Sequence, residues 1–408
     1  MPDSAASEAA KLDIAPPRIE ANAATIAAGR NAVRDGSVDR DYLTNLEAEA
    51  RSGSAEASQK AAIAHHAVAQ FELLHGDLDG ALNDERTALG YTPEDPMILL
   101  SVAYLHLRRS EFKQGLEYVE RARRVAPDNP EVPKLAGWAY YGMNKLKDAV
   151  AEWQRALTLR PDREVQAALE KAKRDQQEEE DYRENESSHF SLKYTGASEP
   201  ELAREILRAL EMHFTSIESE LSYTPPEPIG VILYTQQAFA DITRAPGWVG
   251  ALNDGRIRVP VQGLTSLTPD LSRVLKHELT HSFVRQKTRG LAPTWVQEGL
   301  AQWMEGKRVQ VAAGALVKNY EEKFAKPLGD LERPWMQFSQ EDAAYAYAWS
   351  LATVEFIVQT EGMREMQRVL DRIAAGHTTE MAVHEILRCN YEQLMEDTVQ
   401  FLKKTYGN

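Results

Sequence analysis

Residues 271–281 read LSRVLKHELTH and contain the pattern His-Glu-x-x-His at His277, Glu278 and His281. The Thr-Pro-Asp sequence at 268–270 supplies an N-cap residue, a first-turn proline and a first-turn acid, so a helix is predicted here. Residues four positions apart on a helix lie about 6 Å apart along its axis, on one face. Two imidazole rings placed in this way can converge on one metal ion.

A third metal ligand is expected from the next helix, because a catalytic zinc site usually offers three protein ligands and one water position. Residues 294–303 read TWVQEGLAQW, and Gly290 and Pro293 separate this predicted helix from the first one. A short chain reversal between the two helices can bring Glu298 to the histidine pair as the third ligand. Glu278 is turned aside from that pair, so it can reach a water molecule rather than the metal.

A chance occurrence of the pattern is the alternative, with two solvated histidines on a surface helix. The helical context and the downstream Glu298 argue against it, because random spacing would rarely produce both. The adjacent residues His65 and His66 carry no such pattern. For them a role in packing or at the surface is favoured over metal ligation.

An internal repeat with a period of 34 residues lies upstream of the histidine pattern. Pro93, Pro127 and Pro161 have this spacing, as do two series of small residues, Ala81–Gly115–Ala149 and Ala88–Ala122–Ala156. Small side chains let paired helices approach, and proline ends the second helix of each unit. The pattern resembles the tetratricopeptide repeat, with units at about 62–95, 96–129 and 130–163. It predicts a surface for peptide or protein partners, and a plain helical bundle is the alternative.

The expected domain organisation has four parts. Residues 1–40 are rich in Ala, Ser and Asp with weak periodicity, which indicates a loose leader. The repeats form an all-α solenoid over residues 41–170. The stretch 171–188, KAKRDQQEEEDYRENESS, lacks an apolar face and indicates a solvated helix ending in a linker. The remaining residues, 189–408, form a separate domain.

This last domain is predicted to combine a short sheet with helices. Phe190, Leu192 and Tyr194 alternate with polar residues, as in a half-buried strand. Three further elements precede the helices that follow Thr268: a helix at 199–221, a strand at 229–234, and a hairpin with arms 248–252 and 256–261 around Asn253-Asp254-Gly255. A short sheet followed by helices indicates the α+β fold class, with a helical C-terminal part.

Composition restricts the partners and the compartment. The net charge of −15, with no basic stripe, argues against nucleic acid or anionic lipid as the main partner. Cys389 is the single cysteine, which excludes an intramolecular disulfide and a cysteine-based metal cluster. No apolar run approaches the roughly 20 residues of a membrane-spanning helix. The N-terminus lacks the features of a signal peptide, so a cytoplasmic location is expected as the sequence stands, or a periplasmic or secreted one if a signal peptide is missing.

The segment from His277 to Ala301 resembles the gluzincin metallopeptidases, and more narrowly the peptidase MA-like domains often fused to tetratricopeptide repeats. Two motifs carry the resemblance, His277-Glu278-x-x-His281 and Trp295-x-x-Glu298-Gly299-Leu300-Ala301. The resemblance covers about residues 188–365. It implies a zincin fold, in which a small twisted sheet lies over the active-site helix. The edge strand of such a sheet receives substrate, and the hairpin around residues 250–260 is the candidate edge.

The same resemblance implies a Tyr or His opposite the metal that stabilises the oxyanion. The segment Tyr345-Ala-Tyr347-Ala-Trp-Ser350 resembles the relevant helix, so Tyr347 is the expected donor and Tyr345 the second choice. Tyr347 also shares a helical spacing with Leu351, Val354 and Val358, which is equally consistent with a core position. Many gluzincins carry an acid four residues after the third ligand, whereas this chain has Gln302 there.

Taken together, these features predict zinc-dependent hydrolysis of peptide bonds, with Glu278 as the catalytic base and Zn²⁺ on His277, His281 and Glu298. The absence of an acidic cluster for a free amino terminus favours an endopeptidase, with the repeats recruiting a protein substrate or partner. One alternative is a scaffold protein whose zincin module is inactive or structural. A non-peptidase hydrolase with the same metal chemistry is the least favoured. Neither substrate identity nor oligomeric state follows from the sequence.

Overall fold

The computed structural model describes residues 14–407, except positions 15, 18–22, 35, 52, 196–199, 236–238, 240–250, 254, 262 and 336–337. Within this part the chain divides into two compact units, Ile14–Gln177 and Glu178–Asn408. The first is built almost entirely from helices, and the second combines one sheet with helices.

Paired helices form most of the first unit. Its elements are α1 (Ala23–Ala32), β1 (Val33–Arg34), β2 (Ser37–Val38), α2 (Arg40–Ala50), α3 (Ala55–Leu74), α4 (Leu78–Tyr91), α5 (Pro96–Arg108), α6 (Phe112–Val125), α7 (Glu131–Gly142), α8 (Leu146–Leu159) and α9 (Arg163–Glu178). The pairs α3–α4, α5–α6 and α7–α8 follow one another with the predicted period. The resemblance to tetratricopeptide repeats is therefore confirmed.

Small residues occupy the points where the paired helices cross. A Cβ atom added at Gly137 in α7 would lie 2.3 Å from the indole nitrogen of Trp153 in α8. One added at Gly115 in α6 would lie 2.8 Å from Leu107 Cδ2 in α5. Any larger residue at either place would push the helices apart, which explains why glycine or alanine recurs there.

The prediction of a loose leader over residues 1–40 is wrong for its described C-terminal part. Ala23–Ala32 is a helix and Val33–Val38 contains a two-stranded antiparallel pair. A Cβ atom at Gly29 would lie 3.0 Å from Ala67 Cβ, so α1 lies close against α3. An interface made from Ala and Gly buries little apolar area per residue, and therefore gives only a weak hydropathy signal.

The second unit contains a five-stranded mixed sheet. Its strands are β3 (Arg183–Glu186), β4 (Phe190–Tyr194), β5 (Ile229–Tyr234), β6 (Leu252–Asn253) and β7 (Ile257–Pro260), with α10 (Pro200–Leu221) between β4 and β5. The spatial order is β3-β4-β5-β7-β6, in which β4, β5 and β7 are parallel and the two edge strands are antiparallel to their neighbours. The predicted hairpin is present as β6 and β7, although 248–250 and Asp254 lie outside the described residues.

Helices follow the sheet, as predicted. They are α11 (Pro269–Lys287), α12 (Thr294–Met304), α13 (Ala313–Glu321), α14 (Gln340–Thr360), α15 (Met363–Ala374), α16 (Thr379–Leu387) and α17 (Tyr391–Tyr406), with 3₁₀ turns at Val309–Val311 and Leu328–Leu331. The α+β fold class is therefore confirmed. None of the helices in the described part of the chain is both long and apolar enough to cross a membrane.

Residues 171–188 were predicted as a solvated helix ending in a linker; the helix is present up to Glu178, but a strand lies where the linker was expected. Arg183–Glu186 pairs with β4 as an edge strand of the sheet. Just before it, Glu179 is buried and accepts hydrogen bonds from Arg256 Nη1 at 2.9 Å and from Lys193 Nζ at 3.1 Å. The linker prediction was based on the polarity of the side chains. The strand is instead stabilised by backbone pairing with β4, and Glu179 by Arg256 and Lys193, which are distant in sequence.

Candidate metal centre

Local sequence signals set the two helices that carry the site. Thr268 caps α11, because its hydroxyl oxygen accepts a hydrogen bond from Leu271 N at 3.1 Å. The helix ends at Lys287, and Gly290 adopts a φ of +74°, which favours glycine. The chain then reverses and α12 begins at Thr294.

A close helix contact fixes α12 against α14. A Cβ atom at Gly299 would lie 2.4 Å from the carbonyl oxygen of Ser350 and 2.6 Å from Val354 Cγ2. Only glycine permits this approach, and the neighbouring residue Glu298 is buried. Glu298 thus provides a buried carboxylate, and the adjacent Gly299 allows the close contact between α12 and α14.

His277, His281 and Glu298 are brought together by α11 and α12. One ligand atom from each lies within 4.8 Å of the others, and all three residues are buried. His277 Nε2 is 3.5 Å from Glu298 Oε2, and His281 Nε2 is 3.7 Å from Glu298 Oε1. Ligands at about 2.0–2.1 Å from a tetrahedral zinc ion lie about 3.4 Å from one another. The spacing of these three groups is therefore compatible with one ion of that size.

The hydrogen bonding of the triad also fits a metal. Four of its buried atoms have no hydrogen-bond partner among the described residues: His277 Nε2, His281 Nδ1, His281 Nε2 and Glu298 Oε2. Leaving such groups buried and unpaired is costly, commonly about 1–3 kcal/mol for each. Two imidazole nitrogens and a carboxylate oxygen are the donor set of many catalytic zinc sites. No other group of three His, Cys, Asp or Glu residues in the described part of the chain has this geometry.

Burial shifts the pKa values of the site in different directions. Burial and the nearby His277 lower the pKa of His281 to about 4, although Glu298 opposes them, so the ring is neutral at pH 7. For His277, burial lowers the pKa, but Glu298 and Glu305 outweigh burial and raise it to about 10. Burial raises the pKa of Glu278 to about 7, a value suited to a group that accepts and returns a proton.

Glu278 lies beside the triad but is not one of its members. It is buried, and its Oε2 atom has no hydrogen-bond partner among the described residues. The backbone next to it is tied to the sheet, because Asn253 Nδ2 in β6 donates to Glu278 O at 2.8 Å and to Ser282 Oγ at 2.6 Å. Sequence reasoning treated Asn253 only as a turn residue and missed this link between the edge strand and α11.

The two tyrosines proposed as oxyanion donors lie on α14. Tyr347 is half-buried and packs edge-on against Trp335, with the ring centroids 4.9 Å apart. Tyr345 packs on Trp349 at 6.1 Å, and burial raises its pKa to about 12. The role of Tyr347 as donor stays a prediction, with Tyr345 behind it.

Gln302 occupies the position four residues after Glu298 where an acid was expected, but the acid next to His277 is Glu305. The amide of Gln302 donates to Glu298 O at 3.1 Å and to Tyr347 O at 3.0 Å, so it links α12 to α14. Glu305 Oε1 instead lies 3.2 Å from His277 Nδ1. Sequence reasoning missed Glu305, although its place two helical turns after Glu298 was a usable signal.

His65 and His66 are buried within α3, away from any comparable triad. His65 Nδ1 lies 2.6 Å from Asp84 Oδ1, and His66 Nδ1 lies 2.7 Å from Glu85 Oε1. These are hydrogen-bonded pairs between α3 and α4, as expected for a packing role.

Comparison with known proteins agrees with the two-part organisation. Residues 217–404 match the model of the Peptidase MA superfamily, so this part of the chain is a Peptidase MA superfamily domain, and the match extends beyond the predicted limit of 365. A TPR repeat-containing protein of Pseudomonas aeruginosa is 32% identical over 94 residues, which are 23% of this chain. The chain covers only 16% of that relative's length. A domain of this superfamily supports a metallopeptidase activity.

Proposed function

We propose that the protein is a zinc-dependent peptidase, with Zn²⁺ on His277, His281 and Glu298 and with Glu278 as the catalytic base. The observation that carries the proposal is the convergence of three buried residues, each with at least one ligand atom that has no hydrogen-bond partner among the described residues. Without a metal these buried atoms would need other partners, whereas one metal ion would be ligated by one nitrogen of each histidine and one oxygen of Glu298. The Peptidase MA superfamily match over 217–404 supports the same conclusion.

Glu278 performs the proton transfers in the proposed reaction. Zinc, when bound, activates a water molecule and polarises the scissile carbonyl. The Glu278 carboxylate takes the proton of the attacking water and then gives it to the leaving amine. A pKa of about 7, raised chiefly by burial, makes both transfers feasible near neutral pH. A tyrosine hydroxyl, proposed here as that of Tyr347, donates a hydrogen bond to the oxyanion.

Substrate is proposed to bind beside the edge of the sheet. The edge strand β6 contacts α11 through Asn253, which donates to the backbone oxygen of Glu278 itself, so a peptide lying along that edge would pass near this residue. An internal stretch of polypeptide can bind in this way, which favours endopeptidase action. The helical repeats are proposed to recruit the protein substrate or a partner.

A peptide-library digest tests the proposal. The zinc-loaded protein should cleave internal peptide bonds, lose the activity in a strong chelator, and regain it when zinc is restored. A zinc-loaded protein that cleaves no peptide would contradict peptidase activity and favour the scaffold alternative. Cleavage that a chelator leaves unchanged would instead contradict the role of the metal.

A further inference from the structure

The imidazole ring of His277 lies between two carboxylates of the same chain segment. On one side, Nε2 is 3.5 Å from Glu298 Oε2. On the other side, Nδ1 is 3.2 Å from Glu305 Oε1. The side chains of His277 and Glu305 are only 1% and 5% exposed, so water competes little for their contact. Each ring nitrogen therefore faces a different acid.

Helix geometry explains how one segment supplies both acids. Glu298 and Glu305 are seven residues apart, which is about two helical turns and about 10 Å along the axis of α12, on the same face. Glu305 follows the last residue of that helix, and the chain then turns at Gly306, whose φ is +97°. Hydrogen bonds from Gly306 N to Trp303 O and from Lys307 N to Gln302 O close the turn, so the backbone of Glu305 is fixed.

Lys307 holds the Glu305 carboxylate in place. Its Nζ lies 3.1 Å from Glu305 Oε1, the same oxygen that faces His277. The carboxylate thus has a cation on the solvent side and an imidazole on the buried side. Such an arrangement restricts the rotamer of Glu305 and keeps its charge aimed at Nδ1.

We propose that Glu305 is the positioning residue for His277, accepting a hydrogen bond from Nδ1–H so that Nε2 is the ring nitrogen held next to Glu298 and available to ligate a metal. The proposal rests on the metal site of the proposed function. A proton held on Nδ1 selects the tautomer that can ligate through Nε2, and the charge of the acid increases the basicity of that nitrogen. Gln302 is uncharged, and its amide nitrogen donates to Glu298 O and to Tyr347 O, whereas the acid that lies next to His277 Nδ1 is Glu305.

Zinc affinity measured by competition with a chromophoric chelator tests this role without relying on catalysis. Glu305→Ala should bind zinc about 10- to 100-fold more weakly than the wild type, the usual effect of losing such a partner. Glu305→Gln keeps an oxygen acceptor but loses the charge, so a smaller decrease is expected. The buried acid Glu355 offers a matched control, because it accepts from Val309 N at 2.9 Å and takes no part in the triad. Glu355→Gln should change the melting temperature but not the zinc affinity.

The outcomes separate this inference from the proposed function. Wild-type affinity in both Glu305 variants would overturn the positioning role and leave the metal site standing. A wild-type protein that binds no zinc at the triad would overturn both. An equal loss of affinity in Glu355→Gln would show a general effect of disturbing a buried acid, and would also contradict the specific role. If the alanine variant does not fold, the nearly isosteric glutamine variant decides the matter.

Discussion

The protein contains two buried histidine pairs, one in each unit, and they differ in how their nitrogens are satisfied. In α3, His65 lies 2.6 Å from Asp84 and 3.2 Å from Glu47, and His66 lies 2.7 Å from Glu85. In α11, His281 has no hydrogen-bond partner on either nitrogen among the described residues. Both pairs are accompanied by acids, so the presence of His and Glu together does not identify a metal centre.

The proposed metal centre is supported instead by the balance of donors and acceptors. In α3, His65 and His66 each contact a carboxylate through Nδ1, and neither histidine has a buried nitrogen without a hydrogen-bond partner. Around His277, His281 and Glu298, the nitrogens and carboxylate oxygens converge within 4.8 Å without completing each other's hydrogen bonds. Mutations at the histidine pair of α3 should therefore change the stability of the protein. Mutations at His277, His281 and Glu298 should instead change metal binding.

The largest expected effect is on catalysis, from a mutation of Glu278 beside the proposed metal site. Glu278→Gln should retain zinc and lose peptide cleavage on the order of 1,000-fold, within the range that general acid–base catalysis contributes. The same change in the repeats, Glu85→Gln, should leave cleavage of a short peptide unchanged. Initial rates on one fluorogenic peptide measure both. Full activity in Glu278→Gln would exclude it as the base.

At the histidine pair of α3, in contrast, a mutation is expected to lower stability and not catalysis. His66→Phe removes the histidine partner of the buried Glu85 and leaves it with Gln70 Nε2, 3.4 Å from Oε1; breaking such a pair commonly costs about 3–5 kcal/mol. The double variant His66→Phe/Glu85→Leu should recover most of this loss, because it removes the orphaned charge. Denaturant unfolding of the helical repeats measures both variants. A double variant no more stable than the single one would contradict this explanation.

The corresponding change at the metal centre should not destabilise the metal-free protein. His281→Leu removes two buried nitrogens that have no partner among the described residues, so the melting temperature without metal should stay equal or rise. Addition of zinc should raise the melting temperature of the wild type but not that of the variant. A variant without metal that melts well below the wild type would show that His281 has a structural role.

The smallest expected effect is a pH dependence in the repeats. Burial, followed by the nearby Asp84, raises the pKa of Glu72 to about 7 from 4.5. An acid with a raised pKa in the folded state contributes stability that is full below pH 4.5 and is lost as the pH rises through about 7. The melting temperature of Glu72→Gln should therefore fall less than that of the wild type over this interval. Equal pH profiles would contradict the assignment.

The sequence predicted those parts of the molecule whose signals are local. The capped helix with two histidines and the glycine-separated reversal follow from neighbouring residues, and the repeats follow from the recurrence of residue types every 34 positions. The strand at Arg183–Glu186 and the burial of Glu179 were not predictable, because they depend on pairing with β4 and on Arg256, which lies 77 residues away. Glu305 was missed for a related reason, since the acid was sought four residues after Glu298.

The number of zinc ions bound per chain is the most direct test of the metal site proposed at His277, His281 and Glu298. Wild type, Glu298→Ala and the repeat variant Asp84→Asn would each be dialysed against zinc, and the bound metal measured per chain. The wild type and Asp84→Asn should each hold one tightly bound zinc ion, and Glu298→Ala should hold none. Equal zinc content in the wild type and Glu298→Ala, or loss of zinc in Asp84→Asn, would contradict the proposed site.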